Sequence, residues 1–416
     1  MTHVASHIPR VQQSESAITG FVAELVIAAL GVTCLAIAVG ANQRWLDRHF
    51  LPSFLLPRAW FVLIETTVRV GLAVLGARLV TAVRRRAGRF VQREPVLAAS
   101  VVAAVLLAFG AGELALEYKK VQPAEWFFPD EEPRRQVDAR LGWTFVPSRT
   151  GHMAIGGRDI TYTFDAHGYR VGSVDEPVDF ERPSILFTGE SVMVGEGLTW
   201  DETIAARAGE TLGLQPANLA VHGYSIDQAY MRLETELPRF RAPVAVVSLF
   251  MTELFGRNLD RDRPYLASGL LWQPARSRSR LRSLAGIFVP YRSDATIEHG
   301  IRDTREVLRA TAALAAAHGA APLIVVPQFG HADERDQMLR RRFFDGTGLA
   351  AVFVEIDPGW RLAWDRHPDA RAARTIADAI ASAFRRDVRP DRTLSRRPAP
   401  LSSTARPDVH PSSDGR

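Results

Sequence analysis

The chain holds a single cysteine, Cys34, inside an apolar run. That excludes an intramolecular disulfide and any multi-cysteine metal site, and it leaves the redox compartment unspecified. A phosphate loop is missing too. Such a loop needs a lysine followed by serine or threonine after its last glycine, whereas Gly195 precedes Glu196, and Gly197 precedes Leu198 and Thr199. A glutamate in the lysine's place repels phosphate. The spacing of Gly189, Gly195 and Gly197 also misses the dinucleotide fingerprint. Large apolar residues are almost absent from the end of the chain. From Arg385 the sequence RRDVRPDRTLSRRPAPLSSTARPDVHPSSDGR is rich in Pro, Ser, Arg and Asp, and it cannot bury enough apolar surface to order itself. A disordered tail over residues 386–416 is expected, with His410 inert. No internal repeat is visible.

Long apolar runs are present, and they crowd into the first third of the 416 residues. Residues 17–41 (AITGFVAELVIAALGVTCLAIAVGA) carry one charge, Glu24; a run of that length crosses a hydrocarbon core, which takes about 20 helical residues. Residues 95–115, with Glu113 near the end, read the same way. Between them, residues 59–83 carry Glu65, Arg69 and Arg78. Glu65 and Arg69 stand four apart on one helix face and could pair, so this segment spans only if that face turns towards other helices. An amphipathic helix on the membrane surface is the alternative.

The net charge of +5 comes from arginine clusters, of which RRRAGRFVQRE, from Arg84, lies beside these spans. Basic clusters in that position mark a membrane face rather than nucleic acid, so no nucleic-acid partner is expected. By the positive-inside rule this loop stays in the cytoplasm. The expected layout is a cytoplasmic N-terminus (1–16), a transmembrane anchor (17–116), a linker and small β-rich lead-in (117–182), and a domain over 183–385. Everything after about Glu117 is then extracytoplasmic, on an inner-membrane, multi-pass protein. A cleavable signal peptide is disfavoured, because the first span is long and the VGA ending at Ala41 is a weak cleavage site.

In the lead-in, Ile160, Tyr162 and Phe164 alternate with polar residues, the pattern of a half-buried strand. From Pro183 on, short apolar strands at 184–188, 217–221, 244–250, 322–326 and 352–356 alternate with helical patterns at 201–212, 226–236, 301–318 and 369–384. Asp201 suits an N-cap, and Gly209 weakens its helix slightly. This alternation predicts an α/β domain with a mostly parallel sheet and helices on both faces. Ligands collect at the carboxyl ends of such strands, and Ser191 lies in the loop just beyond the first of them.

A serine lifted to a sheet edge acts as a nucleophile only with a base and a group to orient that base. Near the end of the chain, DRHPDARAARTIADAIASAF offers Asp365 and His367 just before the last helix. Pro368 fits a first helical turn, and Asp369 favours the positive dipole end. NLAVHGYS supplies Gly223 after the second core strand, where a backbone N–H can approach a substrate closely.

FTGESVMVGEGL, NLAVHGYS and DRHP, in that order and on these elements, resemble the first, glycine and last blocks of the SGNH or GDSL hydrolase superfamily. The upstream DAHGYR resembles a lead-in of membrane-attached bacterial members, and the similarity covers roughly residues 142–383. It implies a three-layer α/β/α sandwich with a flavodoxin-like sheet. It implies Ser191 as nucleophile, His367 as general base and then acid, Asp365 orienting His367, and the N–H groups of Ser191 and Gly223 in an oxyanion hole. Members cleave or transfer acyl groups without metal or organic cofactor. Two positions depart from the family pattern. Glu190 stands where Asp is usual before the serine. The usual oxyanion asparagine is replaced in the third block, VVSLFMTELFGRNLDRD, by Thr252 in Thr252-Glu253, with Asn258 further along.

The expectation is an extracytoplasmic serine esterase acting on acyl esters of envelope glycan or lipid, held among membrane lipid. Acyl transfer to an envelope polysaccharide stays open, as does a binding or assembly module that has lost catalysis. Simpler roles are expected elsewhere. His222 lines the pocket or caps a turn; His331 and Glu253 are structural; Trp143, Trp200, Trp360 and Trp364 pack, although Trp364 could wall the site. Arg340 to Arg342 read as a solvated helix face, and Glu24 and Glu65 as partners of basic residues.

Overall fold

A computed structural model describes residues 10–51, 58–118, 131–155, 157–276, 279–282, 291–363 and 365–387. Trp364, His410 and the expected tail beyond Asp387 lie outside them, while Arg386 and Asp387, expected in that tail, end the last helix.

Three helices among the described residues are long and apolar enough to cross a membrane: Ala17–Gly40, Ala59–Arg93 and Pro95–Tyr118. The first belongs to α1 (Arg10–Gly40). A short helix α2 (Gln43–His49) follows, capped by Asn42, whose side chain accepts the N–H of Trp45. The next apolar helix, α3 (Arg58–Arg78), runs through a π-helical turn (Leu79–Val83) into α4 (Arg84–Arg93). The basic stretch expected as a loop is therefore helical: nothing in RRRAGRFVQR breaks a helix until Glu94-Pro95. α1 packs along α3 and α4, with Gly31 and Gly76 so close that an added Cβ on either would meet the other's carbonyl oxygen within 3 Å. Glu65 accepts from Gln43 Nε2 at 3.2 Å, and Arg69 donates to the Ala38 carbonyl at 3.2 Å. α5 (Pro95–Tyr118) has no buried residue and presents apolar side chains all round, Leu107 at 72% exposure.

The remainder is built on one eight-stranded sheet. A separate hairpin of β1 (Arg135–Asp138) and β2 (Gly142–Phe145) precedes it. β3 (Arg149–Ile155), β4 (Arg158–Phe164) and β5 (Arg170–Val171) then form an antiparallel wing. β6 (Ser184–Thr188), β7 (Gln215–Asn218), β8 (Pro243–Leu249), β11 (Ala321–Phe329) and β12 (Ala351–Ile356) form the parallel core; between β8 and β11 in the chain, β9 (Tyr265–Ala267) and β10 (Leu271–Gln273) make a second small hairpin. The order is β12-β11-β8-β6-β7-β5-β4-β3, so the lead-in strands extend the main sheet through a single β5–β7 pairing. Taken alone, the parallel strands run 2-1-3-4-5, the flavodoxin-like order, with its switch point between β6 and β8.

β6 is buried at all five positions, as a strand covered on both faces must be. α8 (Ile226–Glu236) and α9 (Asp294–Ala317) cover one face; α7 (Ile204–Leu212) and α11 (Ala370–Asp387) pair on the other. Ala372, Ala373, Ile376, Ala377 and Ile380 form the buried stripe of α11. Helix ends differ from expectation where caps compete. Thr203, not Asp201, caps α7 by accepting the N–H of Ala206 at 3.1 Å, while Asp201 accepts the Thr199 hydroxyl. Ser293 caps α9, whose first residue, Asp294, stands seven residues before the expected Ile301. A helix α10 (Glu334–Phe344), capped by Asp333, carries Arg340 to Arg342; Arg341 faces solvent, while Arg340 and Arg342 bond Gln328 and Glu298.

Candidate active site

The turn after β6 is shaped by its glycines. Gly189 has φ +152°, and a Cβ there would stand 3.1 Å from Leu249 Cβ. Glu190 then caps the four-residue helix α6 (Ser191–Val194), its Oε1 accepting the Val192 N–H at 3.2 Å. Ser191 is thereby the first residue of a helix at the carboxyl end of β6, beside the switch point.

Arg170, in the DAHGYR stretch, fixes this turn from behind. Its guanidinium is buried over the Tyr162 ring and donates to the carbonyls of Val194 (2.8 Å), Gly195 (2.6 Å) and Leu198 (2.5 Å). Burial pushes it down to about 10. Asp165 closes the preceding turn through the N–H groups of His167 and Tyr169. The motif is thus a strut for the serine turn.

His367 and Asp365 come from the loop between β12 and α11. Leu362 N–H donates to the His367 carbonyl at 2.9 Å, and His367 N–H to Asp365 Oδ1 at 3.1 Å. Asp369 accepts from Arg371 and Ala372 at the start of α11, so the helix begins at Ala370 and Pro368 lies just outside it. The structure brings the three residues together. His367 Nε2 lies 2.7 Å from Ser191 Oγ, and its Nδ1 lies 2.7 Å from Asp365 Oδ1. Ser191 is 1% exposed and His367 6%.

Two further carboxylates stand at this chain. Glu190 Oε2 accepts the Ser191 hydroxyl at 2.5 Å and faces Arg257 Nη1 at 3.2 Å. Glu196 Oε2 lies 3.9 Å from His367 Nε2 and is hydrogen-bonded to the His222 ring. Burial alone would raise the Glu196 carboxyl, yet the His222 and His367 imidazoles hold it down at about 2. Burial opposes protonation of His367, but Glu196, Asp365 and Glu190 outweigh it and push the imidazole up. Asp365, also raised by burial, is brought below its ordinary value by His367.

Gly223 has φ +78° in the turn after β7. Among the described residues, the N–H groups of Ser191 and Gly223 make no hydrogen bond, as an oxyanion hole requires. Thr252 is buried at the start of the 3-10 segment Thr252–Leu259 that follows β8. Asn258 is committed elsewhere: its Oδ1 accepts the Ile226 N–H at 3.2 Å and its Nδ2 donates to Thr304 at 3.1 Å. Beside Glu190, a cavity of about 20 Å3 is lined by Gly189, Leu249, Met251 and Leu254. The Trp143 indole donates to the His222 carbonyl at 2.9 Å, bringing the first hairpin to the site. His331 forms an exposed pair with Glu355, and Glu253 is half-buried, its partial desolvation raising its carboxyl.

Ligand atoms of Glu196, Asp365 and His367 lie within 4.8 Å of one another, a spacing that a metal ion could use. Both imidazole nitrogens are already engaged, by Ser191 and Asp365. The set is better matched to proton transfer.

No family model matches the chain, and no curated protein gives a significant match. Several solved structures are similar at low level. An acetyl xylan esterase from Butyrivibrio proteoclasticus has TM-score 0.32 and 10% identity over 51% of this chain and 66% of that one. A member of the lipolytic protein G-D-S-L family from Veillonella parvula has TM-score 0.30 and 12% identity over 49% and 98%. A salicylyl-acyltransferase from a tetracycline biosynthetic pathway has 0.28 and 14% over 51% and 57%. The chain thus spans just under two thirds of the esterase and little more than half of the transferase. Likeness at this level carries no argument; the functional reading rests on the site.

Sequence reasoning missed Glu196, Arg257 and Arg170 as parts of the site. Glu196 was visible only as the residue that rules out a phosphate loop. Arg257 lies in the third block, but nothing local in the sequence points its side chain at Glu190.

Proposed function

We propose that this chain is a membrane-anchored serine esterase of the SGNH/GDSL superfamily. In this reading its α/β domain is extracytoplasmic and acts on acyl esters, O-acetyl among them, of an envelope glycan or lipid. The observation that carries the reading is the unbroken chain Asp365–His367–Ser191 at the switch point of a 2-1-3-4-5 parallel sheet. The Ser191 hydroxyl turns from Glu190 Oε2 to His367 Nε2, and Ser191 Oγ attacks the ester carbonyl while its proton passes to that nitrogen, with Asp365 holding the Nδ1–H. The N–H groups of Ser191 and Gly223 meet the oxyanion. The tetrahedral intermediate collapses, His367 gives its proton to the departing alkoxide, and the acyl group stays on Ser191. Water then gives a proton to His367 and attacks, and the second intermediate collapses as His367 returns that proton to Ser191 Oγ, releasing the acid and the free serine.

Contacts near the membrane support the orientation. α2 joins two apolar helices, and it packs on the α/β domain: Arg48 Nε lies 2.6 Å from Asp294 Oδ1, and Arg292 N–H donates to the His49 carbonyl at 2.9 Å. Loop and domain then share one side, opposite the basic α4, which is consistent with three crossings.

A second reading, acyl transfer to a sugar hydroxyl, is favoured by the burial of Ser191, since a transferase must keep water from its acyl-enzyme. Product analysis with and without acceptor sugar separates the two. The primary test is fluorophosphonate labelling of the protein, with the modified peptide identified by mass spectrometry. Labelling at Ser191 that falls in His367→Ala and Asp365→Ala is expected. A folded protein that does not label would overturn the esterase and favour a binding module.

A further inference from the structure

We propose that Arg257 takes the place of the family asparagine as the third oxyanion donor, with Glu190 as its resting counterion. The proposal rests on Ser191 being the nucleophile. The position matching that asparagine is Thr252, whose single rotatable hydroxyl is a weaker device than a fixed amide, and Asn258 is held by Ile226 and Thr304. Arg257 lies on the same 3-10 segment, and its side chain is 12% exposed.

The geometry gives it reach. Glu190 divides its two oxygens: Oε1 caps Val192, while Oε2 meets both Ser191 Oγ at 2.5 Å and Arg257 Nη1 at 3.2 Å. Those two contacts in series keep Nη1 within about 6 Å of the nucleophile. An oxyanion forms about 2.3 Å from the attacking oxygen and needs donors roughly 2.7–3.1 Å further out, so a shift of about 1 Å in a long side chain suffices. The extra methylene of Glu190, relative to the usual Asp, lets one carboxylate cap the turn and still touch Arg257.

Two more features fit. Arg263 donates to the Gly223 carbonyl at 2.8 Å and to the Arg257 carbonyl at 2.6 Å, so one buried guanidinium ties the Gly223 turn to the Arg257 segment. A buried cation also needs a counter-charge. Glu190 supplies it at rest, and the oxyanion supplies it during reaction, where a fixed charge in a water-poor site acts strongly on developing charge.

The test uses the full chain in detergent with p-nitrophenyl acetate as probe. Arg257→Ala is expected to lower kcat/KM by about 10²–10³-fold, mostly in kcat. Arg257→Lys is expected to lose less. The same loss should persist on a Glu190→Gln background, and Thr252→Asn should restore part of the activity of Arg257→Ala. A loss that vanishes in the Glu190→Gln background would make Arg257 only a partner of Glu190 and overturn the proposal. So would activity of Arg257→Ala within about threefold of wild type. Should Arg257→Ala fail to fold, Arg257→Gln and Arg257→Lys, which keep the bulk, carry the same comparison. Wild-type protein that neither labels at Ser191 nor turns over the ester overturns the serine reading and this proposal with it.

Discussion

The Glu196 carboxylate stands 3.9 Å from His367 Nε2, the same nitrogen that meets the Ser191 hydroxyl at 2.7 Å. It helps to push the imidazole above its ordinary value, and the proposed catalysis needs that imidazole neutral. Activity should therefore fall as pH drops through the raised value. Removing the Glu196 charge lowers the value, so Glu196→Gln should move the acid limb of kcat/KM to lower pH. A limb that stays in place in the pH profile would remove Glu196 from the proton chemistry.

In the proposed mechanism Asp365, 2.7 Å from His367 Nδ1, holds the tautomer that lets His367 accept a proton. Asp365→Asn should leave the fold intact and reduce kcat by up to about 10⁴-fold. Ester turnover beside an unchanged thermal transition tests this, and a loss under tenfold would mean that Glu196 or Glu190 orients His367 instead.

Arg170 bonds three carbonyls of the serine turn from a fully buried position. Arg170→Ala strands those acceptors and should cost about 3 kcal/mol or more of stability. Lysine cannot span them, so Arg170→Lys should rescue little. Urea unfolding of the two variants, with fluorophosphonate labelling in parallel, gives both readouts. Full stability with normal labelling would show that the strut is dispensable.

The reading of three crossings predicts sides. Reporter fusions after Arg93 should be cytoplasmic, and fusions after Tyr118 extracytoplasmic. A cytoplasmic signal after Tyr118 would refute the envelope substrate, leaving the triad chemistry untouched. A charge reversal at Asp294 should loosen α2 from the domain, read as faster proteolysis near Arg48.

Much of this was legible in one dimension because the physics behind it is local. Unbroken apolar runs declare helices long and apolar enough to cross a membrane, and the apolar run Ile185–Phe187 marks β6, which is buried at every position. Ser191, Asp365 and His367 were legible because each sits at a strand end or helix start marked by glycine or proline. Helix boundaries were less so: Thr203 outcompeted Asp201 because a cap depends on which side chain can turn back on the chain, a matter of angles rather than residue type. The lead-in looked separate because a single β5–β7 pairing joins it to the sheet.

By itself, then, the sequence determined the classes of element, their order and the three residues proposed to move a proton and attack a carbonyl. Tertiary structure decided which charges surround them. Glu190 with Arg257, and Glu196 with His222, are pairs brought together from different loops, separated by 67 and 26 residues. Coulomb interactions act through space and weaken with distance and solvent, so their partners follow from the packing of the loops and not from the spacing of the residues.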